Sequence, residues 1–194
     1  MRSFRRICIY GGARAELPAP FLDAARALGA FLAGKGIGVV TGAGRFGMMG
    51  AVTEGALEAG GQVLGVIPDR LRGLEQDHPR LSELFVVDSM HARKMVMATL
   101  SDAFIALPGG WGTLEELFEV TTWNQLNYHT KPAALYNIQG FYDHLLAHVA
   151  RAADYGFIRP VHRELLGVGR TPEELMDVLE KAEIPELGRW IDKP

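Results

Sequence analysis

Apolar residues fall into two alternating patterns along the chain. Short runs with little or no polar interruption occur at residues 5–10 (RRICIY), 38–41 (GVVT), 62–67 (QVLGVI), 84–88 (LFVVD), 103–107 (AFIAL), 133–136 (AALY) and 165–168 (LLGV). Such runs read as strands buried on both faces, the kind found inside a parallel sheet. Between them lie segments with apolar positions three and four apart, for example Phe21, Ala24, Ala25, Leu28, Phe31 and Leu32. That spacing predicts helices over 20–34, 48–58, 90–100, 113–126, 141–155 and 172–182. Residues 69–82 carry mixed charge and Pro79, and read as a loop with one turn of helix. Strands alternating with helices predict an α/β fold, a parallel sheet covered on both faces, with ligands at the carboxyl ends of its strands.

Three glycine turns sit at those ends: Gly11-Gly12-Ala13-Arg14, Gly42-Ala-Gly44-Arg-Phe-Gly47, and Pro108-Gly109-Gly110-Trp111-Gly112-Thr113. The third follows the fifth strand, and its glycines permit close approach of a ligand. Thr113 then opens a helix whose first amides face the turn, an arrangement suited to phosphate. Arg93 and Lys94 stand in the first turn of the preceding helix, where cations oppose the macrodipole unless an anion or carboxylate compensates. Thr113-Leu-Glu-Glu116 also has the form of a capping box, which by itself would explain both Thr113 and Glu116. A carboxylate one turn into a helix that opens on a phosphate loop would equally stand near a ribose. Glu115 and Glu119, four apart, read as a solvated face.

Composition narrows the chemistry. The 194 residues suit one domain spanning 1–194, with its core over about 5–183 and a short tail. A net charge of −3 gives no global attraction for nucleic acid, so anion recognition has to be local. The single cysteine, Cys8, lies in an apolar run and reads as a buried thiol. The apolar segment after Arg2, Arg5 and Arg6 is shorter than the roughly 7–15 residues of a secretory leader, and no run approaches the roughly 20 of a membrane span. A cytoplasmic location is expected. His144 and His148 stand i, i+4, but HLLAH lacks the glutamate of H-E-x-x-H and a third ligand, so no metal is expected. Gly42 to Gly47 matches the dinucleotide fingerprint G-x-G-x-x-G, yet it follows the second strand. The next acidic residue at a strand end, Asp69, comes later than the usual spacing of about 20 residues. A glycine turn lining a mononucleotide pocket, with Gly12, Gly44 and Gly47 on its wall, fits better than an NAD site.

Met90-His-Ala-Arg-Lys94 followed by Pro108-Gly-Gly-Trp-Gly-Thr-Leu-Glu-Glu116 resembles the paired signature M-H-x-R-K and P-G-G-x-G-T-x-x-E of the LOG ("Lonely guy") family. These are cytokinin riboside 5'-monophosphate phosphoribohydrolases, often mislabelled lysine decarboxylases. The resemblance runs from about Ile7 to Ala182 and includes Gly65-Val-Ile-Pro68, the segment Thr122 to Leu126, and Lys131-Pro132. It implies a Rossmann-like, doubly wound fold, a homodimer with sites near the subunit interface, and hydrolysis of the N-glycosidic bond of a nucleoside 5'-monophosphate without a cofactor. Carried over by position, the catalytic pair falls on Arg93 and Glu116. The substrate-binding set falls on Glu75, Met90, Arg93, Lys94, Gly109, Gly110, Trp111, Gly112, Thr113, Glu116 and Thr122.

The chain departs from the family pattern in three places. Gly11-Gly-Ala-Arg14 stands for a C-G-S-S-like turn, Gly42-Ala-Gly44 for a triple glycine, and Asn127 for a glycine after the fourth helix. The first two changes bear on base preference rather than reaction type. Asparagine at 127 is compatible because it also reaches the left-handed conformation. The expected activity is therefore release of the base from AMP or an N6-modified AMP, giving ribose 5-phosphate. The rivals are a nucleotide or molybdenum-cofactor carrier of the same fold without turnover and, less favoured, an NAD-dependent oxidoreductase. Nothing in the sequence marks a pyridoxal phosphate lysine with its pyridinium partner, as a decarboxylase would need.

Overall fold

The structure is a computed structural model that describes residues 2–72 and 77–185. Seven parallel strands form one sheet in the order β4-β3-β2-β1-β5-β6-β7. They are β1 (Arg6–Tyr10), β2 (Gly38–Thr41), β3 (Val63–Pro68), β4 (Glu83–Val87), β5 (Ala103–Ala106), β6 (Ala133–Tyr136) and β7 (Leu166–Gly169). Between them run α1 (Ala19–Gly34), α2 (Gly47–Glu58), α3 (Met90–Leu100), α4 (Trp111–Gln125), α5 (Asp143–Asp154) and α6 (Pro172–Lys181). Every predicted strand and helix is present, with ends shifted by a residue or two except where noted below. The loop after β3 opens with a 3-10 turn over Asp69–Leu71, in keeping with the turn of helix expected there.

The unbroken apolar runs are explained by burial on both faces. In β1, Ile7 and Ile9 join the core beneath α1, α2 and α6, while Cys8 and Tyr10 join the opposite core beneath α3 and α4. A third cluster, Ala106, Leu117, Leu135 and Tyr142, fixes α5 and α4 over the β5–β6 end of the sheet. Strand order reverses direction at β1, with β2 on one side and β5 on the other. This is the switch point of a doubly wound sheet, where the crevice between diverging connections takes ligands. The three glycine turns follow β2, β1 and β5, three adjacent strands.

One boundary differs in a way that matters. The fourth helix starts at Trp111 with Gly110 as its N-cap, and Thr113 is its third residue. Gly109 and Gly110 let the chain enter the helix early, and the Thr113 side chain packs directly on Gly109, where a Cβ would collide with it. The capping box is therefore absent. Glu116 is the sixth helical residue, too far along to return a hydrogen bond to the cap. At the other end of this helix, Asn127 adopts φ 56°, the left-handed conformation expected of it.

Candidate active site

A cavity of about 310 Å³ opens over the carboxyl ends of β1, β2 and β5. Its size is at the lower end of the roughly 300–1,000 Å³ typical of small-molecule sites. Its floor is Ile9, Tyr10 and Met97, and its walls are the turns at Gly11–Ala13, Gly42 with Gly44, and Gly110 with Gly112 and Thr113. Met90, Arg93, Glu115 and Glu116 supply the remaining side chains that face it, together with Met49.

The turns hold one another. Gly12 donates its amide to the Pro108 carbonyl at 3.0 Å, and Met48 donates to the Gly12 carbonyl at 2.8 Å. Gly47 has φ 61° and sits so close to the carbonyls of Gly12 and Arg14 that a Cβ would not fit. It thus joins the first two turns rather than touching a ligand. Tyr142 donates its hydroxyl to the Leu107 carbonyl at 2.6 Å, anchoring the chain just before the third turn. That turn delivers the amides of Trp111, Gly112 and Thr113, which have no acceptor within the helix and carry the positive end of its dipole.

Arg93 is 9 % exposed. Its Nε donates to the Val66 carbonyl at 3.1 Å and its Nη2 to the Gly42 carbonyl at 2.8 Å, and Nη1 lies 3.8 Å from the Met90 sulfur. The guanidinium passes over Gly42 so closely that any side chain there would strike it. Backbone carbonyls thus compensate a cation placed at the unfavourable end of α3, whose cap is Ser89 accepting from the Ala92 amide at 3.1 Å.

Glu116 is half-buried on the cavity wall, and its charge is felt by the floor. Burial first, then Glu116, raises the Cys8 thiol; burial, Cys8 and Glu116, in that order, raise the Tyr10 hydroxyl well above its ordinary range. Both stay protonated, and the carboxylate faces neutral, low-dielectric groups beneath it. Tyr10 was not among the residues singled out in the sequence. The period-2 alternation of β1 could have found it, since it is the last residue on the α3–α4 face, at the carboxyl end.

The remaining predicted residues divide. Gly12, Gly44, Met90, Gly110, Gly112 and Thr113 line the cavity, as do Arg93 and Glu116. Gly109 and Gly47 shape it from behind. Trp111 is 91 % exposed beside the opening, and Thr122 is exposed further along α4. Glu75 lies outside the described residues. Lys94 is not on the wall: its ammonium bridges α3 to α4, 2.6 Å from Glu115 and 3.0 Å from Glu119. Burial opposes its charge, but the hydrogen bonds and charges of the two glutamates outweigh it and raise its pKa. Of the pair read as a solvated face, Glu115 is exposed, its side chain 56 % accessible, while Glu119 is largely covered by the bridge. They face α3 because a lysine stands opposite, a tertiary fact with no signature in helical spacing.

No cluster of three or more His, Cys, Asp or Glu suited to a metal occurs among the described residues, and His144 and His148 are both exposed on α5. No helix among them is long and apolar enough to cross a membrane.

The chain is similar in sequence and in fold to known proteins. Residues 49–179 match the family described as "Possible lysine decarboxylase". The probable cytokinin riboside 5'-monophosphate phosphoribohydrolase LOGL9 of Oryza sativa subsp. japonica is 45 % identical over 92 % of this chain and 78 % of its own length. The cytokinin riboside 5'-monophosphate phosphoribohydrolase LOG3 of Arabidopsis thaliana is 44 % identical over 92 % of this chain and 83 % of its own. The molybdenum cofactor binding protein of Rippkaea orientalis superposes with TM-score 0.69 over 93 % of this chain and 97 % of its own, at 23 % identity, and so shares the fold. With the paired motifs meeting in one cavity and relatives about 44 % identical matched over 92 % of this chain and roughly four fifths of their own length, this chain belongs to the LOG family.

Proposed function

We propose that the protein hydrolyses the N-glycosidic bond of a nucleoside 5'-monophosphate, AMP or an N6-modified AMP, releasing the free base and ribose 5-phosphate. The observation that carries this reading is the meeting of Glu116, Arg93 and the open amides of α4 in one cavity at the sheet's switch point. The phosphate binds the amides of Trp111, Gly112 and Thr113, at the positive end of the helix. Glu116, one helical turn beyond, then lies beside the anomeric carbon. As the bond from C1' to the base nitrogen breaks, its electron pair leaves with the base and positive charge grows on the ribose ring. Glu116 stabilises that charge and takes the proton of the attacking water as the new C1'–O bond forms. Arg93 offsets negative charge on the departing base as a fixed donor. It is not the acid, since guanidinium does not deprotonate in proteins, and the base takes its proton from solvent. No cofactor enters this sequence.

Purified protein incubated with AMP or isopentenyl-AMP, with the free base resolved by chromatography, tests the reading. Release of adenine or its N6-modified form supports it. Saturable nucleotide binding without base release would instead make the protein a carrier, and dinucleotide-dependent redox activity would overturn it in favour of an oxidoreductase.

The reading includes a homodimer and a cytoplasmic location, the latter in keeping with a lone, buried thiol. Support for the dimer comes from the exposed apolar side chains of Met95 on α3, Trp111 and Phe118 on α4, and Leu126 and Tyr128 just beyond the end of α4. On α4 the stripe of 111, 115, 118 and 122 shares one side, so a second copy seated there would meet both Trp111 beside the cavity opening and Thr122 further along the helix. Light scattering on the wild type and on Phe118→Glu checks it: a dimer converted to monomer is expected, and a monomeric wild type would refute it.

A further inference from the structure

The loop after β3 is fastened to the cavity wall by side chains that do not themselves reach the cavity. His78 is 4 % exposed, and its Nδ1 accepts the Arg80 amide at 3.2 Å. That bond fixes the tautomer, so the proton is on Nε2, which donates to Glu54 Oε1 on α2 at 2.7 Å. The other Glu54 oxygen pairs with the Arg80 guanidinium. The backbone of the same loop meets the second glycine turn: the His78 amide donates to the Ala43 carbonyl at 2.9 Å, and Asp77 bridges to Gly44. Ala43 is held at φ 69°, a strained conformation for alanine, with its amide bonded to Thr41 Oγ1 at 3.1 Å. Gly44 lines the cavity, and the neighbouring Gly42 carbonyl holds Arg93.

We propose that Glu54 and His78 are positioning residues for nucleotide hydrolysis, a pair that locks the Gly42–Gly44 turn and through it the Arg93 guanidinium and one wall of the site. This inference rests on the hydrolytic reading above. Neither residue lines the cavity, so their effect on a nucleotide has to pass through the turn. The sub-ångström placement that a reacting site needs makes such a lock matter.

Three variants test it: Glu54→Ala, which removes the acceptor; Glu54→Gln, which keeps an acceptor oxygen in place; and His78→Asn, which keeps an acceptor for the Arg80 amide but cannot reach Glu54. For AMP hydrolysis well below the melting temperature, Glu54→Ala and His78→Asn are expected to lower kcat/KM about three- to tenfold, chiefly through KM, with Glu54→Gln within about twofold of wild type. Amide hydrogen exchange at residues 77–80 is expected to quicken in step, with α6 unchanged. Unaltered KM and exchange in Glu54→Ala, or a Glu54→Gln as impaired as the alanine, overturns the proposal, as does a loss of melting temperature alone. If His78→Asn does not fold, the two Glu54 variants carry the test. If the wild type releases no base, the hydrolytic reading fails, and unchanged exchange in Glu54→Ala sinks the lock while quickened exchange upholds it.

Discussion

Two cavities meet across one glycine wall, and they differ in almost every chemical respect. Gly12, Ala13 and Gly110 border both. On one side lie Arg93, Thr113, Glu115 and Glu116; on the other, a space of about 640 Å³ lined by Leu17, Pro18, Phe21, Met48, Pro108 and Phe141, with Arg14 at its edge. The backbone of the turns is common to both, so the difference comes from which helices deliver side chains. The start of α3 and the first turns of α4 point polar groups into the smaller cavity, while the start of α1 and the chain before α5 close the larger one with apolar groups. The open amides of α4 and the carboxylate one turn later are both on the polar side. A ligand whose phosphate is held at the helix start and whose sugar reaches Glu116 therefore extends away from the apolar cavity.

The largest effect that could break this contrast is at Glu116. Glu116→Gln keeps the shape and removes the charge, and is expected to cost roughly 10²–10⁴ in kcat with the melting temperature nearly unchanged. A variant that melts earlier but retains activity would return Glu116 to a structural role. Arg93→Lys comes next. Lysine cannot span the Val66 and Gly42 carbonyls together, and the loss of charge-assisted bonds worth about 1.5–3 kcal/mol should lower kcat/KM roughly 10- to 100-fold. Steady-state kinetics with AMP reads this directly, and an Arg93→Lys enzyme at wild-type efficiency would remove Arg93 from the reaction.

Phe141→Ala sharpens the contrast from the apolar side. The ring packs edge-on against Phe21 and Tyr142, so its loss should lower the melting temperature by a few degrees. Kinetic constants for both AMP and isopentenyl-AMP are expected within about twofold of wild type. A KM rise for isopentenyl-AMP alone would mean that the base substituent reaches the apolar cavity and that the nucleotide lies the other way round.

The smallest effect is far from both cavities. His129 packs between Phe104 and Trp123, and burial, then the Lys131 charge, lowers its pKa from 6.5 to about 4. The unfolded chain binds a proton there below about pH 6.5 whereas the folded one does so only near 4, so stability falls as pH drops through that window. Thermal melts from pH 7 to 4 should show the fall, and His129→Gln should flatten it; parallel curves would assign the acid sensitivity elsewhere.

Most of the architecture was legible because burial on both sheet faces writes an unbroken apolar run, and a helix packed on one face writes a 3.6-residue period. The paired motifs were legible as well, and they meet in one cavity as their family resemblance implies. The start of α4 was misread. The preference of threonine for an N-cap favoured Thr113, and the structure gives that position to Gly110, with the Thr113 hydroxyl packed on Gly109. The bridge made by Lys94 was illegible for a different reason. Its partners Glu115 and Glu119 lie on another helix, and only the packing of α3 against α4 brings them within reach.

The sequence by itself determined the alternation of strands and helices, the three glycine turns at the strand ends, and the presence of Arg93 and Glu116 in motifs of one family, because local pattern and residue chemistry suffice for these. Only the tertiary structure decided that Glu116 faces a cavity instead of its own helix end, that Lys94 is spent on a brace between helices, and that the His78 loop is pinned to the second turn. Those outcomes depend on how separate helices pack over a twisted sheet. Contacts between residues distant in sequence leave no periodic trace in it.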